Sequence, residues 1–346
     1  MGQDARGDDT ANDGTANDDT AQRHIPVLLD RCLDLLAPAF DVADPATAPV
    51  MIDATLGMGG HTEGALRRFP RLHVVGIDRD PEAIERATRR LAEFGDRFTA
   101  VHATYDDIGD VARDHATRPD GLVDGVLMDL GVSSLQLDEA ERGFSYAQDA
   151  PLDMRMDPTS GQSAADLLAT ADVNEITRIL RTYGEEKFAR RIAQRIVRDR
   201  EAGRPLTRTA QLADVVRESI PAPARRTGGN PSKRTFQALR VAVNDELRIL
   251  EDAVPAALRA LRVGGRIVIE SYQSLEDRIV KGIFVEGSRD TTPPDLPVIP
   301  TGEEAPLRLL TRGAEKADAE EIEHNTRSAS VRLRAAEIRT PWRTRP

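Results

Sequence analysis

The sequence predicts an α/β protein whose sheet is mostly parallel and whose α/β domain is split in sequence by a helical insertion. Three observations predict it. Short apolar runs alternate with helical stretches over the first third of the chain, which is the pattern of strands joined by right-handed crossovers. Each run is closed by a polar residue, as suits strands covered on both faces. Strand signals then cease from about Leu137 to Arg240 and return at Gly264–Glu270.

The elements follow in order. Residues 1–22 are Asp, Asn, Thr, Gly and Ala with little to bury, and read as a disordered acidic tail. Ile25–Leu36 reads as a short amphipathic helix. Val50–Ala54 is an apolar run containing Asp53, followed by Gly57-Met58-Gly59-Gly60 and a helix expected over His61–Arg68. His73–Asp78 is a buried strand. Asp80-Pro81 opens the next helix, with Asp80 at the cap and proline in the first turn. Phe98–His102 and Val123–Leu130 are the third and fourth strands, the latter ending around Asp129. The segment 137–240 is helical and Arg-rich, broken by Pro221-Ala222-Pro223 and Gly228-Gly229-Asn230-Pro231. Residues 286–323 are acidic and rich in Pro and Gly, and read as a mobile surface loop. Ser330–Ala335 is expected as the final strand. Residues 23–136 and 241–346 would then form one α/β domain, with 137–240 inserted.

Composition narrows the class. The single cysteine, Cys32, excludes a disulfide framework within the chain and favours the cytoplasm. No apolar run has the length of a membrane span, the N-terminus lacks a secretory pattern, and no Cys/His set has zinc-ligand spacing, so neither membrane nor metal is expected. The net charge of -11 argues against a nucleic-acid partner until its distribution is read. Residues 1–20 hold six Asp and one Arg, and residues 286–323 hold ten acids and four bases; together they account for the whole excess. Residues 178–240 hold sixteen Arg or Lys against six acids. A solvated helix face and an RNA-facing surface both fit that basic stretch, and local charge is what a phosphate backbone meets.

The segment Asp53–His61 sits where the first strand meets the first helix of the sheet. Its glycines allow a sharp turn and close approach to a ligand. The spacing fits neither Gly-x-Gly-x-x-Gly nor a phosphate loop, and an acid precedes the glycines, as in S-adenosylmethionine loops. Asp78 ends the second strand, where a carboxylate can accept both ribose hydroxyls of a nucleoside. The helix start after Gly60 favours a ligand carboxylate. His61 is expected to act through its backbone amide, with no role for its imidazole.

Longer strings carry more. These are Met128–Asp138, Glu141–Ser145, Pro151–Asp157, Thr182–Glu186, Thr235–Leu247 and Ser274–Lys281. In these the sequence resembles the ribosomal RNA small-subunit methyltransferase H (MraW) family from about His24 to the C-terminus. The resemblance implies a Rossmann-like class I methyltransferase with an inserted helical recognition domain, S-adenosyl-L-methionine as cofactor, and N4-methylation of a cytosine in the decoding centre of 16S rRNA. The small ribosomal subunit would be the partner. The resemblance also implies cofactor contacts by Gly59, Gly60, His61, Asp78, Tyr105, Asp129 and Gln136. One departure stands out: relatives often carry His where this chain has Gln273.

A cytosine amine is a weak nucleophile, so alignment and an acceptor for its hydrogens are the main demands. Asp129 is the candidate catalytic residue; binding the cofactor's amino group is its other reading. Asp153 and Arg155 are candidates to hold the base or a phosphate, or else form a structural ion pair. Tyr272 is a candidate stacking ring. An amino-methyltransferase acting on DNA, or a ribosome-assembly factor that binds the cofactor without turnover, are the competing readings. Oligomeric state stays open, a homodimer included.

Overall fold

Seven strands form one sheet in the order β3-β2-β1-β4-β5-β7-β6. They are β1 (Val50–Asp53), β2 (His73–Asp78), β3 (Phe98–His102), β4 (Val123–Asp129), β5 (Leu261–Ser271), β6 (Leu307–Leu309) and β7 (Arg332–Ile338). Strands β1 to β5 are parallel, and β7 lies antiparallel between β5 and β6. The computed structural model describes residues 26–41, 47–225, 230–289 and 304–343. The tail expected at 1–22 and the centre of the loop expected at 286–323 lie outside them.

Side chains alternate between two cores, as the two-residue period of a strand requires. Met51, Val74, Leu127 and Val268 face one side, where α1 (Leu29–Phe40), α2 (Gly60–Arg68) and α3 (Pro81–Arg90) cover the sheet. Ile52, Val75, Val126 and Ile267 face the other, with α4 (Ile108–His115). From Leu130 the chain passes through α5 (Ser134–Asp138), α6 (Ala164–Thr170), α7 (Val173–Gly184), α8 (Ala189–Glu201), α9 (Thr209–Ser219), α10 (Ala222–Arg225) and α11 (Ser232–Asn244). It returns to the second face as α12 (Glu246–Ala260), and α13 (Ser274–Gly287) follows β5 there. The chain winds outward from β1 to β3, then restarts at β4 on the other side of β1. That reversal opens a crevice at the carboxyl ends of the strands.

Helices α6 to α9 and α11 bury a separate core around Ile176, Ile192, Leu212 and Phe236. Helix α11 runs through position 240 to Asn244, so the expected boundary at 240/241 falls inside a helix. Two expectations need correction. The stretch from Gly143 to Gln162 is not helical. It is pinned as an irregular strap: Asn244 donates to the Met154 carbonyl at 2.7 Å and accepts from Met156 N at 2.8 Å. Leu152 N donates to the Thr207 carbonyl. The acidic stretch 286–323 is also more than a loop. It begins within α13, contributes β6 and includes α14 (Ala319–His324). A three-residue strand has no visible period; pairing with β7 and burial of Leu307 make it one. Helix α1 starts at Leu29 rather than Ile25, β5 starts at Leu261 rather than Gly264, and β7 covers Arg332–Ile338 rather than Ser330–Ala335.

Candidate active site

At the carboxyl ends of β1, β2, β4 and β5 lies a cavity of about 530 Å³. The loop after β1 forms one wall. Asp53 is buried and accepts from Thr62 Oγ1 at 2.7 Å and Thr55 N at 3.3 Å, which ties the loop to α2. Gly57 turns with φ near +50°, a conformation that favours glycine. Gly76 in β2 lets the loop lie close: a Cβ there would fall 2.5 Å from Leu56 Cδ1.

Asp78 closes the loop from the other side. Its Oδ2 accepts from Gly57 N at 2.8 Å and its Oδ1 from Asp80 N at 2.9 Å. Each carboxylate oxygen keeps a further acceptor direction for ligand hydroxyls. Burial pushes this carboxyl up to about 6, against the pull of the two amide bonds.

Asp129 ends β4 in the middle of the crevice. Its N–H donates to Thr55 Oγ1 at 2.6 Å, and its Oδ1 accepts from Tyr272 OH at 2.8 Å. Its Oδ2 lies 3.8 Å from His61 Nδ1. The imidazole is buried, with Nε2 at 3.0 Å from the Val27 carbonyl and 3.4 Å from Glu270 Oε2. Glu270 is the register partner of Asp129 on β5. Burial and the Asp129 charge hold the Glu270 carboxyl well above the usual range. Desolvation also raises the Tyr272 and Tyr105 hydroxyls.

The helical segment supplies the far wall. Phe144, Tyr146, Met156, Phe236, Gln237 and Arg240 line it, with Tyr146 and Phe236 edge-to-face at 5.8 Å between centroids. Gln237 Nε2 donates to Gln273 Oε1 at 2.7 Å, joining that wall to the end of β5. Gln273 Nε2 in turn donates to Glu276 Oε1 at 3.1 Å, and burial raises Glu276 to about 7.

The family model for the MraW methylase family matches residues 21–339. The chain is a member of the MraW methylase family. Among its relatives, a protein of Beutenbergia cavernae called ribosomal RNA small subunit methyltransferase H is 62% identical over 326 residues, covering 94% of this chain and 96% of the relative. Its namesake from Nocardioides sp. is 60% identical over 314 residues, covering 91% and 96%. The crystal structure of an rRNA methylase from Streptococcus thermophilus aligns with TM-score 0.40 at 11% identity, covering 89% of this chain and 93% of that one.

In this methylase the cavity collects Gly60, His61, Asp78, Tyr105, Asp129, Gln136 and Tyr272 from the residues expected at the site. Tyr105 presents its ring and donates its hydroxyl to the Glu246 carbonyl at 3.3 Å. The Gln136 amide is tied into the scaffold: Oε1 accepts from Ser133 N at 3.1 Å, and Nε2 donates to Asp80 Oδ2 at 3.2 Å. Three expected residues do not line the cavity. Gly59 faces α3, where a Cβ would meet Leu91 Cδ1 at 2.9 Å, and its N–H is spent on the Leu56 carbonyl. Its part is the turn itself. Asp153 and Arg155 pair with each other through two bonds of 2.8 Å.

Sequence reading missed the His61 imidazole, Glu270 and the whole far wall. The string holding Phe236, Gln237 and Arg240 was visible, but nothing in it said that the helix would reach over the crevice. The basic stretch is also resolved residue by residue. Arg195, Arg204, Arg208, Arg217 and Arg240 are engaged by carboxylates. Arg181, Lys187, Arg190, Arg191, Arg198, Lys233 and Arg234 are exposed and have no ion pair among the described residues. Gly184 at the end of α7 abuts the Arg234 carbonyl, which sets Lys233 and Arg234 beside the turn carrying Lys187. Lys233 also lines the cavity mouth. The Arg225 side chain and Arg226 lie outside the described residues.

Proposed function

We propose that this methylase uses S-adenosyl-L-methionine to methylate the exocyclic N4 amine of a cytosine in the decoding centre of 16S rRNA, within the small ribosomal subunit in the cytoplasm. The observation that carries the reading is the two-sided cavity. A nucleoside-type half with Asp78 and the glycine loop meets an aromatic half from the helical segment, and Asp129 stands between them. The relatives' names support a small-subunit RNA substrate.

The residues present fit the cofactor. Both oxygens of Asp78 lie in reach of ribose hydroxyls, the Tyr105 ring offers a face to adenine, and the start of α2 favours a carboxylate. When bound, the cofactor supplies a methyl on a cationic sulfur, which keeps the C–S electron pair on transfer. The chain's own task is alignment. Tyr272 fixes the Asp129 carboxylate through Oδ1, so that it can accept a hydrogen bond from a base amine in the cavity. Phe144, Tyr146 and Phe236 would hold the ring of an extruded base. The unpaired cations near α7, α8 and α11 would hold phosphates, which position the RNA without reading it. On this reading residues 137–240 form the recognition domain, and 23–136 with 241–346 form the methyl-transfer domain.

The test is incubation with radiolabelled cofactor and either small subunits or DNA, followed by mass spectrometry of digested nucleosides. Label at N4 of a single decoding-centre cytosine is expected. Label only in DNA, or cofactor binding without transfer, would reject the assignment.

A further inference from the structure

Amine methylation leaves a proton to be placed. When the N–C bond forms, nitrogen carries one hydrogen too many. An N–H bond then breaks, its electron pair stays on nitrogen, and a base takes the proton.

The groups around His61 are built to receive one. The Val27 carbonyl, 3.0 Å from Nε2, can only accept a hydrogen bond. Nε2 therefore carries the ring hydrogen, and Nδ1 is left with a bare lone pair. Nδ1 faces Asp129 Oδ2 across 3.8 Å. That is two acceptors facing one another, too far apart for an existing hydrogen bond.

The surrounding groups keep the pair ready. Glu270 is 0% exposed, and its carboxyl lies against the His61 imidazole and the Cys32 thiol. Burial raises its titration well above the ordinary carboxylate range, and the Asp129 charge and Glu321 of α14 act in the same direction. Cys32 from α1 adds a buried thiol whose titration burial also pushes up. Asp53 on β1 faces the imidazole too, with its carboxylate spent on Thr62 and Thr55 and its titration raised by burial. Tyr272 occupies the other oxygen of Asp129. Of the Asp129 oxygens, Oδ1 is taken by Tyr272 and Oδ2, facing His61 Nδ1, is the one open to an incoming proton.

We propose that His61 Nδ1 and Asp129 Oδ2 form a shared proton acceptor for the hydrogen that leaves the substrate amine. The inference rests on the amine-methylase reading. The proton moves from the amine nitrogen to Oδ2 and is shared with Nδ1. It leaves through Asp129, which is 30% exposed to the cavity. His61 acts through Asp129 and is a positioning and storage group.

Two measurements test this. Nitrogen-15 NMR of histidine-labelled, ligand-free wild-type protein should show His61 with hydrogen on Nε2 and a bare Nδ1; hydrogen on Nδ1 would overturn the shared acceptor. In His61→Gln, cofactor affinity by calorimetry should stay within about threefold. Single-turnover methylation of small subunits should fall by about 10- to 100-fold, with a changed pH profile. An unchanged rate and pH profile would overturn the proposal. So would a loss confined to cofactor affinity, which would mean that the gap receives the cofactor's ammonium. Failure of the wild-type protein to methylate subunits would overturn the amine reading itself, whatever the tautomer.

Discussion

Asp78→Asn separates stability from binding, because the two should move in opposite directions. In the folded protein Asp78 titrates at about 6, against an ordinary 3.8. Below the unfolded value the carboxyl is protonated in both states and costs nothing. As pH rises past 3.8 the unfolded chain releases this proton while the fold retains it, so stability falls until pH passes about 6. The full difference corresponds to about 3 kcal/mol. Asparagine removes it. Asparagine also loses one of the two acceptors that hold Gly57 N and Asp80 N, at roughly 1 kcal/mol. Denaturant unfolding at pH 4 and pH 8 should therefore show the variant gaining about 2–3 kcal/mol relative to wild type between the two, starting slightly below it. Calorimetry at pH 8 should show weaker cofactor binding by about 1.5–3 kcal/mol, one charge-assisted contact. A stability difference that does not change with pH would refute the held-up carboxyl. Equal affinity would refute its role toward ribose.

Other substitutions probe the scaffold and the surface. Gly76→Ala should push Leu56 and its loop away from β2, lowering cofactor affinity at least about tenfold while the fold survives; equal affinity by calorimetry would mean that the loop does not need the close approach. Asn244→Ala strips partners from the buried Met154 and Met156 backbone and should cost about 2–4 kcal/mol by urea unfolding; a loss under about 0.5 kcal/mol would show that the strap is held by other contacts. Glu270→Gln replaces a carboxyl whose titration the fold holds well above that of the unfolded chain, so the variant should unfold at higher temperature than wild type, with a gain that is larger at pH 8 than at pH 4. A gain independent of pH would show that Glu270 is ionised in the fold. Lys233→Ala combined with Arg234→Ala should lower the salt slope of small-subunit binding by about 1.5–2 and leave cofactor affinity alone; an unchanged slope would move the RNA elsewhere.

The sheet was legible because parallel strands buried on both faces must be apolar throughout, and β2 and β4 each end where a polar side chain reaches the crevice. Asp78 and Asp129 were legible for the same reason: the end of a strand is a fixed place, and local spacing reports it. At Gly59 the sequence could not choose, because a glycine that shapes a turn and one that faces a ligand have the same signature; the structure places it at the turn, against Leu91. For Asp153 and Arg155 the sequence left a substrate contact and an ion pair open, because their mutual pairing depends on side-chain direction, which a turn-rich string does not encode.

By itself the chain's order of residues determined six of the seven strands, the glycine turn, the acids at the strand ends and the membership of a methylase family, all of them local or string-like properties. Only the tertiary structure decided that α11 carries Phe236, Gln237 and Arg240 over the crevice, that cations such as Arg190, Arg191, Lys233 and Arg234 have no ion pair among the described residues, and that His61 stands between Asp129 and Glu270. Those are contacts between residues distant in sequence. Packing chooses them, and no local period or spacing records the choice.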